Sequence, residues 1–322
     1  MSKEDKLFLL LHHIVETPGI ILSITLLVII TRSTPPWLKS YSILIGNSAL
    51  TDLIACLVNM FVMQRMIPVH LSLFYISYGY CTFFGPRVCY LGYCTVVYAM
   101  TDGLYSLAIS FLYRYYVLIH SGSIKKGTLL LICFLVSTPS IMSSITFSTC
   151  DDDPAVLRPL LTSALNYNLT NLQVSGHITI LKFWTMYTIT FTIGCTGVSY
   201  MIMFWCRRRV LMALSIMDLS PKTRAIHREL RMALTVQSLL PLVLVFCASL
   251  YGIQQMGIVH SPTFEHLIYY IVAFQPVLSP IFSIYFVRPY RESVLKLVNR
   301  WKPQKKSLVS VSNTAATSSG VG

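Results

Sequence analysis

Seven stretches of this chain are apolar over about the 20 residues that a helix needs to cross a bilayer. They are Ile14–Thr31, Ser42–Met63, Leu91–Leu118, Thr128–Thr146, Ile178–Cys206, Met232–Ile253 and Leu267–Val287. Charged residues make up only 11% of the chain, against roughly 25% in soluble globular proteins. Too little charge is left to cover a water-facing surface, so the apolar stretches must face lipid. The expected fold is an all-α bundle of seven transmembrane helices, spanning residues 1–301 with a short amphipathic helix at its end. An ordinary cytosolic enzyme and a disordered chain are excluded. Nine cysteines in 322 residues are too sparse for a disulfide scaffold. The first stretch carries Glu16 and Pro18, and a cleaved signal peptide is its rival reading. The short run Leu7–Leu11, followed by two histidines and no small-residue cleavage site, favours a retained helix.

The net charge of +13 matters through its placement. The segments after the first, third, fifth and seventh spans, with Arg114, hold nineteen basic residues and three acidic ones. The N-terminal segment and the remaining loops hold five basic and six acidic residues. Lys and Arg collect on the cytoplasmic side, which predicts an outside N-terminus and a cytoplasmic C-terminus. The basic stretch Arg207–Arg231 then reads as a positive-inside anchor near anionic lipid, and nucleic acid is not an expected partner. Asn168-Leu169-Thr170 is a glycosylation acceptor in a loop placed outside. Residues 302–322 are basic and then Ser/Thr-rich, a composition that cannot build a core and predicts a disordered tail.

The third span ends in SFLYRYYVL, with Arg114 near its inner end and Cys89 twenty-five residues before it. That separation is about 37 Å of helix, more than the ~30 Å hydrocarbon core, so the two residues mark opposite faces. G-protein-coupled receptors carry a cysteine and an arginine at this spacing. Tyr113 stands where many of them have an acid. NSALTD in the second span, Pro241 in the sixth and SPIFSIYFVRPYR at the end of the seventh are similar to further marks of rhodopsin-like receptors. Taken together, KSYSILIGNSALTDLIACLV, YISYGYC, SFLYRYYVLIH and PIFSIYFVRPYRESVLKL resemble the class delta (Srd) nematode serpentine chemoreceptors over nearly the whole chain. The resemblance implies a receptor in the plasma membrane of sensory neurons, in the cilium. Such a receptor detects an odorant or water-soluble cue and signals through a heterotrimeric G protein, with no cofactor.

Ligand-facing candidates in the outer halves of the spans are Tyr93, Val97, Trp184, Tyr187, Tyr251, Gln254 and Tyr270. No charged residue lies in the outer half of the third span, which favours a neutral or weakly polar molecule. Arg114, Tyr115, Arg207, Arg228 and Arg231 are the expected G-protein surface. After Val287, residues Tyr290, Val294, Leu297, Val298 and Trp301 recur at helical spacing with cations between them. This predicts an amphipathic helix on membrane lipid. Cys89 and Cys150 both fall at outer helix ends in an oxidising compartment and are the expected disulfide, with Cys81 the rival partner of Cys150. Asp52 and Asp102 both lie near mid-bilayer. If both face the bundle axis they share a proton or a sodium ion, helped by Asn47, Ser106 and Ser279; otherwise each is separately protonated and hydrogen-bonded.

Other readings fare worse. A seven-helix ligand-gated channel of the insect odorant-receptor kind has its N-terminus inside, against the charge pattern. The seventh span has no lysine for a retinal Schiff base. Neither membrane acid sits in a Gly-x-Gly-Asp protease string. His12, His13 and Glu16 are too few and too exposed to make a metal site. No nucleotide-binding loop or Cys-x-x-Cys pair is present.

Overall fold

The computed structural model describes residues 3–120, 122, 124–165, 169, 172–216, 232, 234–259 and 261–301. Asn168, Arg228, Arg231 and the tail 302–322 lie outside the described residues. Among the described residues the long helices are α1 Lys3–Ser33, α2 Lys39–Val62, α3 Pro86–His120, α4 Lys126–Phe147, α5 Pro154–Leu165, α6 Phe183–Ile216, α7 Leu240–Gln255, α8 Pro262–Phe286 and α9 Arg288–Trp301. All but α5 and α9 belong to seven helical segments long and apolar enough to cross a membrane, the sixth of them running from Leu234 to Gln255. That segment is interrupted by a turn at residues 238–239, and Pro241 follows in the first turn of α7. Proline has no N–H to donate and is tolerated at this position of a helix.

Lipid is as apolar as leucine, so helix association in a membrane relies on close packing and internal hydrogen bonds. Both are present. A Cβ added at Gly19 would fall 2.7 Å from Cys56 Sγ and 2.8 Å from Val277 Cγ2, so glycine is what lets α1 approach α2 and α8. Asn47 Nδ2 donates to Ser106 Oγ at 2.7 Å, Ser144 Oγ to the Cys94 carbonyl at 2.9 Å, and Tyr41 Oη lies 3.1 Å from Ser110 Oγ. In α9, Tyr290 is buried among Leu26, Ile29 and Leu38, while Leu295 and Leu297 stand exposed.

A small sheet closes the end of the bundle that carries the N-terminus. Strands β1 Gln64–Val69 and β2 Ser72–Ser77 form an antiparallel hairpin, and β3 Gln173–His177 adds antiparallel to β2. His70 takes a left-handed φ of 49° in the hairpin turn. Gly176 has φ +147°, and a Cβ there would meet the Leu73 carbonyl oxygen at 2.2 Å, so only glycine fits between the strands. Side chains alternate across the sheet. Met66, Leu73 and Tyr75 point into the bundle against Tyr90, Tyr93, Phe147 and Ile268. Ile67, Phe74 and Ile76 point the other way, under Leu157 and Leu161 of α5.

The disulfide differs from the expected one. Cys89 pairs with Cys81, eight residues earlier in a 3₁₀ turn over Tyr80–Phe84, and Cys150 is a free thiol. Successive residues on a helix point about 100° apart. Cys89 faces Val62 and Cys81 on the α2 side, whereas its neighbour Tyr90 faces Phe147 and Cys150 on the α4 side. The wall that Cys150 meets is therefore Tyr90, and the Cys150 thiol instead bonds the Thr146 carbonyl at 3.3 Å.

Candidate functional site

Below the sheet lies a cavity of about 500 Å³, within the range of small-molecule sites. Its ceiling is Met66, Leu73 and Tyr75 of the hairpin. From α3 come Tyr93, Val97, Met100, Thr101 and Leu104, a stripe at helical spacing. The opposite walls are Thr188, Thr192 and Thr196 of α6, Cys247 and Tyr251 of α7, and Tyr269 and Val272 of α8. None of the lining residues is charged. Burial among Tyr93, Tyr90 and Tyr251 holds the Tyr75 phenol well above its usual value, so it stays neutral. The hydroxyls of Tyr251, Tyr269 and Thr192 are buried without a hydrogen-bond partner among the described residues.

The sheet is held down by buried charge. Arg65 Nε donates to Glu265 Oε2 at 2.7 Å, its Nη2 lies 2.6 Å from the same oxygen, and its Nη1 is 3.4 Å from Asp5 Oδ1. Tyr78 Oη donates to Asp5 at 3.1 Å and His266 Nε2 sits 2.9 Å from it. Three elements far apart in sequence, α1, β1 and α8, are thereby tied together. Burial alone would lower the Arg65 pKa, but Glu265 reverses this and holds the guanidinium charged. On the β3 side, His177 Nδ1 donates to the Cys150 carbonyl at 3.0 Å. Burial pushes this imidazole down to about 4 despite that hydrogen bond. Asp152 takes the Ile178 amide at 2.8 Å and also the Lys182 ammonium. Burial works against its charge, but these partners hold the carboxyl below its ordinary value.

At the other end of the bundle, Arg114 Nε donates to Tyr41 Oη at 2.7 Å and Nη1 to Gln237 Oε1 at 2.8 Å. Its guanidinium also lies 5.8 Å from the Phe111 ring centre. Tyr113, in the place of the missing acid, stacks on Tyr41 with ring centres 5.7 Å apart. Tyr115 meets Trp205 edge-on at 5.1 Å, and Arg207 is half-buried beside Arg208 in a shallow pocket of α6.

Residues 8–296 match the family described as serpentine type 7TM GPCR chemoreceptor Srd. The chain belongs to the Srd chemoreceptors. Among Caenorhabditis elegans relatives, serpentine receptor class delta-19 is 31% identical over 287 residues, covering 87% of this chain and 84% of its own. Class delta-18 is 30% identical over 87% of this chain and 85% of its own length. Class delta-3 is 30% identical over 91% and 88% respectively.

In this Srd chain the cavity takes in Tyr93, Val97 and Tyr251 of the expected ligand set and leaves out the other four. Trp184 and Tyr187 stand 46% and 39% exposed on α6, respectively four residues and one residue before Thr188, which does line the cavity. Gln254 is buried but outside the lining. Tyr270 turns toward α1, edge-on to His12 and Phe8. The missed contributors are Met66, Leu73 and Tyr75 from the hairpin and the threonines of α6. The string SLFYIS carried a strand signal, and the i, i+4, i+8 spacing of Thr188, Thr192 and Thr196 marked a polar stripe on an apolar helix. Of the membrane acids, Asp102 Oδ2 accepts from Thr51 Oγ1 at 2.9 Å, and Asp52 Oδ2 from Ser48 Oγ at 3.5 Å. Ser48 also lies 3.5 Å from Ser279. Asn47 and Ser106 bond each other rather than either acid. The described residues hold no group of three or more His, Cys, Asp or Glu side chains arranged for a metal.

Proposed function

We propose that this chemoreceptor, with its N-terminal end outside, binds a small molecule in the lidded cavity and activates a heterotrimeric G protein through the end that carries Arg114. The observation that carries this reading is the continuity of α3. The same unbroken helix lines the cavity with Tyr93 and Val97 and presents Arg114 seventeen residues further on, about 26 Å away. A ligand that moves α3 or its neighbours at one end changes the contacts of Arg114 at the other. Tyr115 and Arg207 extend that face, and the basic segment containing Arg228 and Arg231 follows α6 in sequence. Seven such helices make this a multi-pass membrane protein.

The test is a calcium-imaging screen of volatile and water-soluble cues on cells expressing the receptor with a promiscuous G protein. A responding cue should lose its effect in Arg114→Ala at equal surface expression. It should also lose it in Ala248→Trp, since Ala248 of α7 lines the cavity and the larger side chain fills it. An intact response in Arg114→Ala would remove the coupling role, and an intact response in Ala248→Trp would remove the cavity.

A further inference from the structure

The cavity is sealed toward the N-terminal end of the bundle. Met66, Leu73 and Tyr75 roof it and are buried, and α5 covers the other side of the same sheet. The turn of the hairpin is tied down as well. Gln255 Nε2 donates to the His70 carbonyl, the Ile180 amide donates to the Leu71 carbonyl at 2.8 Å, and Ser72 Oγ to the Ile178 carbonyl at 2.6 Å. A solute from water meets a hydrogen-bonded roof.

The lining is open elsewhere. Four lining residues are exposed, and all four lie on two neighbouring helices: Ile193 and Gly197 on α6, Val245 and Ser249 on α7. Each pair is spaced i, i+4, so the two members stack one above the other on their helix. Both stripes border the same cavity where its lining reaches the surface, and a Cβ at Gly197 would meet nothing within 4 Å. Helices α6 and α7 touch only sparsely. Both belong to membrane-spanning segments, so the gap opens into lipid.

The chemistry inside agrees with that route. The lining has no charge to pair with an ion, and an unpaired ion buried there is too costly to bind. Yet Tyr251, Tyr269 and Thr192 bring three buried hydroxyls without a hydrogen-bond partner among the described residues. Each such group is costly while it stays unsatisfied, so a ligand oxygen that accepts from them is favoured. We propose that the cavity takes a neutral molecule that partitions into the bilayer, with a hydrocarbon body and a carbonyl, ester or hydroxyl oxygen, and that it enters sideways between α6 and α7. This rests on the reading of the cavity as the ligand site, but not on G-protein coupling.

The test uses the receptor in lipid nanodiscs and needs no signalling. Cys247 is a free thiol on the cavity wall. Two methanethiosulfonates of the same chemistry probe it: the neutral methyl reagent and the charged trimethylammonium-ethyl reagent. Modification is read by peptide mass spectrometry. The neutral reagent should label Cys247 at least about tenfold faster, and Gly197→Trp, which plugs the gap, should slow it by about tenfold with Cys133 labelling unchanged. Ser249→Trp on the facing stripe provides the second plug should the first misfold. Equal rates for the two reagents, or unchanged rates in both plugged variants, would overturn the route.

The ligand class is read by protection of Cys247. The ketone 2-decanone should protect it, decanoate and decylamine should not, and Tyr251→Phe with Tyr269→Phe should weaken the protection. No protection by the ketone, or equal protection by the ions, would overturn the class. Either failure leaves the Arg114 test untouched, so the two readings can be told apart.

Discussion

Gln237 accepts a hydrogen bond from Arg114 Nη1 at 2.8 Å, across 123 positions of sequence. Tyr41 accepts from Nε of the same guanidinium at 2.7 Å. Arginine is thus clasped between the second and sixth membrane segments by neutral oxygens. No acid immediately precedes this arginine; Tyr113 stands there and stacks on Tyr41, orienting the phenol that does the holding. Gln237 lies just before the turn at residues 238–239 and Pro241, so the clasp sits beyond a break in the helix that can pivot.

Removing the clasp should therefore raise signalling in the absence of ligand. Hydrogen bonds to a charged group contribute about 1.5–3 kcal/mol, so Gln237→Leu should raise the active fraction by about tenfold or more where that fraction is small. Tyr41→Phe should act in the same direction. Basal signalling measured at matched surface expression decides the matter; a Gln237→Leu receptor as quiet as wild type would show that the contact holds nothing.

The roof depends on Arg65. Its guanidinium faces Glu265 and Asp5 in a site where the arginine and Glu265 side chains are 7% and 2% exposed. Removing one partner of a buried pair typically costs about 3–5 kcal/mol, because the other charge stays buried. Arg65→Met should lower the melting temperature of the purified receptor by several degrees. Adding Glu265→Met should recover part of that loss. If the double variant is less stable than Arg65→Met alone, the penalty is not an orphaned charge.

The seven spans were legible because a run of apolar residues long enough for a bilayer is a local property of the chain. The roof was not, for a physical reason. Both faces of the hairpin are covered, Leu73 and Tyr75 by the bundle and Phe74 and Ile76 by α5. The strand therefore lacks the alternation of apolar and polar residues that marks a sheet exposed on one side. Facing directions were equally hidden. Tyr93 and Tyr187 look alike in sequence, yet one is buried against Tyr75 and the other is exposed, because α3 is more enclosed by neighbours than α6. The disulfide failed on the same point, since Cys89 and Tyr90 differ by one residue and face different helices. The separate hydrogen bonding of Asp52 and Asp102, by contrast, was among the readings the residues left open.

Acid should loosen the roof through His177. Its folded-state pKa of about 4 lies below the ordinary 6.5. Between those values the unfolded segment binds a proton and the folded one does not. Stability is therefore fully present above pH 6.5 and falls as the pH drops toward 4, by up to about 3 kcal/mol over the interval. Hydrogen exchange of the β2–β3 amides should accelerate from pH 7 to pH 5 after correction for intrinsic rates. His177→Gln, which keeps a side-chain donor but cannot titrate, should flatten that dependence. An unchanged pH profile in the variant would assign the effect to another group.

Asp52 and Asp102 face different partners although Thr51 and Asp52 are adjacent on α2. Thr51 Oγ1 donates to Asp102 at 2.9 Å, and Ser48 donates to Asp52 at 3.5 Å while lying 3.5 Å from Ser279. Adjacent helical residues point about 100° apart, so α2 presents Thr51 to α3 and Asp52 toward α8. Two groups with separate partners should behave as separate sites. The stability changes of Asp52→Asn and Asp102→Asn should then add to within about 0.5 kcal/mol in the double variant. Any sodium or pH dependence of the ligand response should likewise follow one acid and not require both. A shared proton or ion gives the opposite pattern: either substitution alone removes the whole dependence, and the double variant is no worse than the singles. Thermal unfolding and dose–response curves against sodium and pH in wild type, the two single variants and the double distinguish these outcomes. Strong non-additivity would mean that the carboxylates communicate through Thr51 and the α2 backbone despite their different partners.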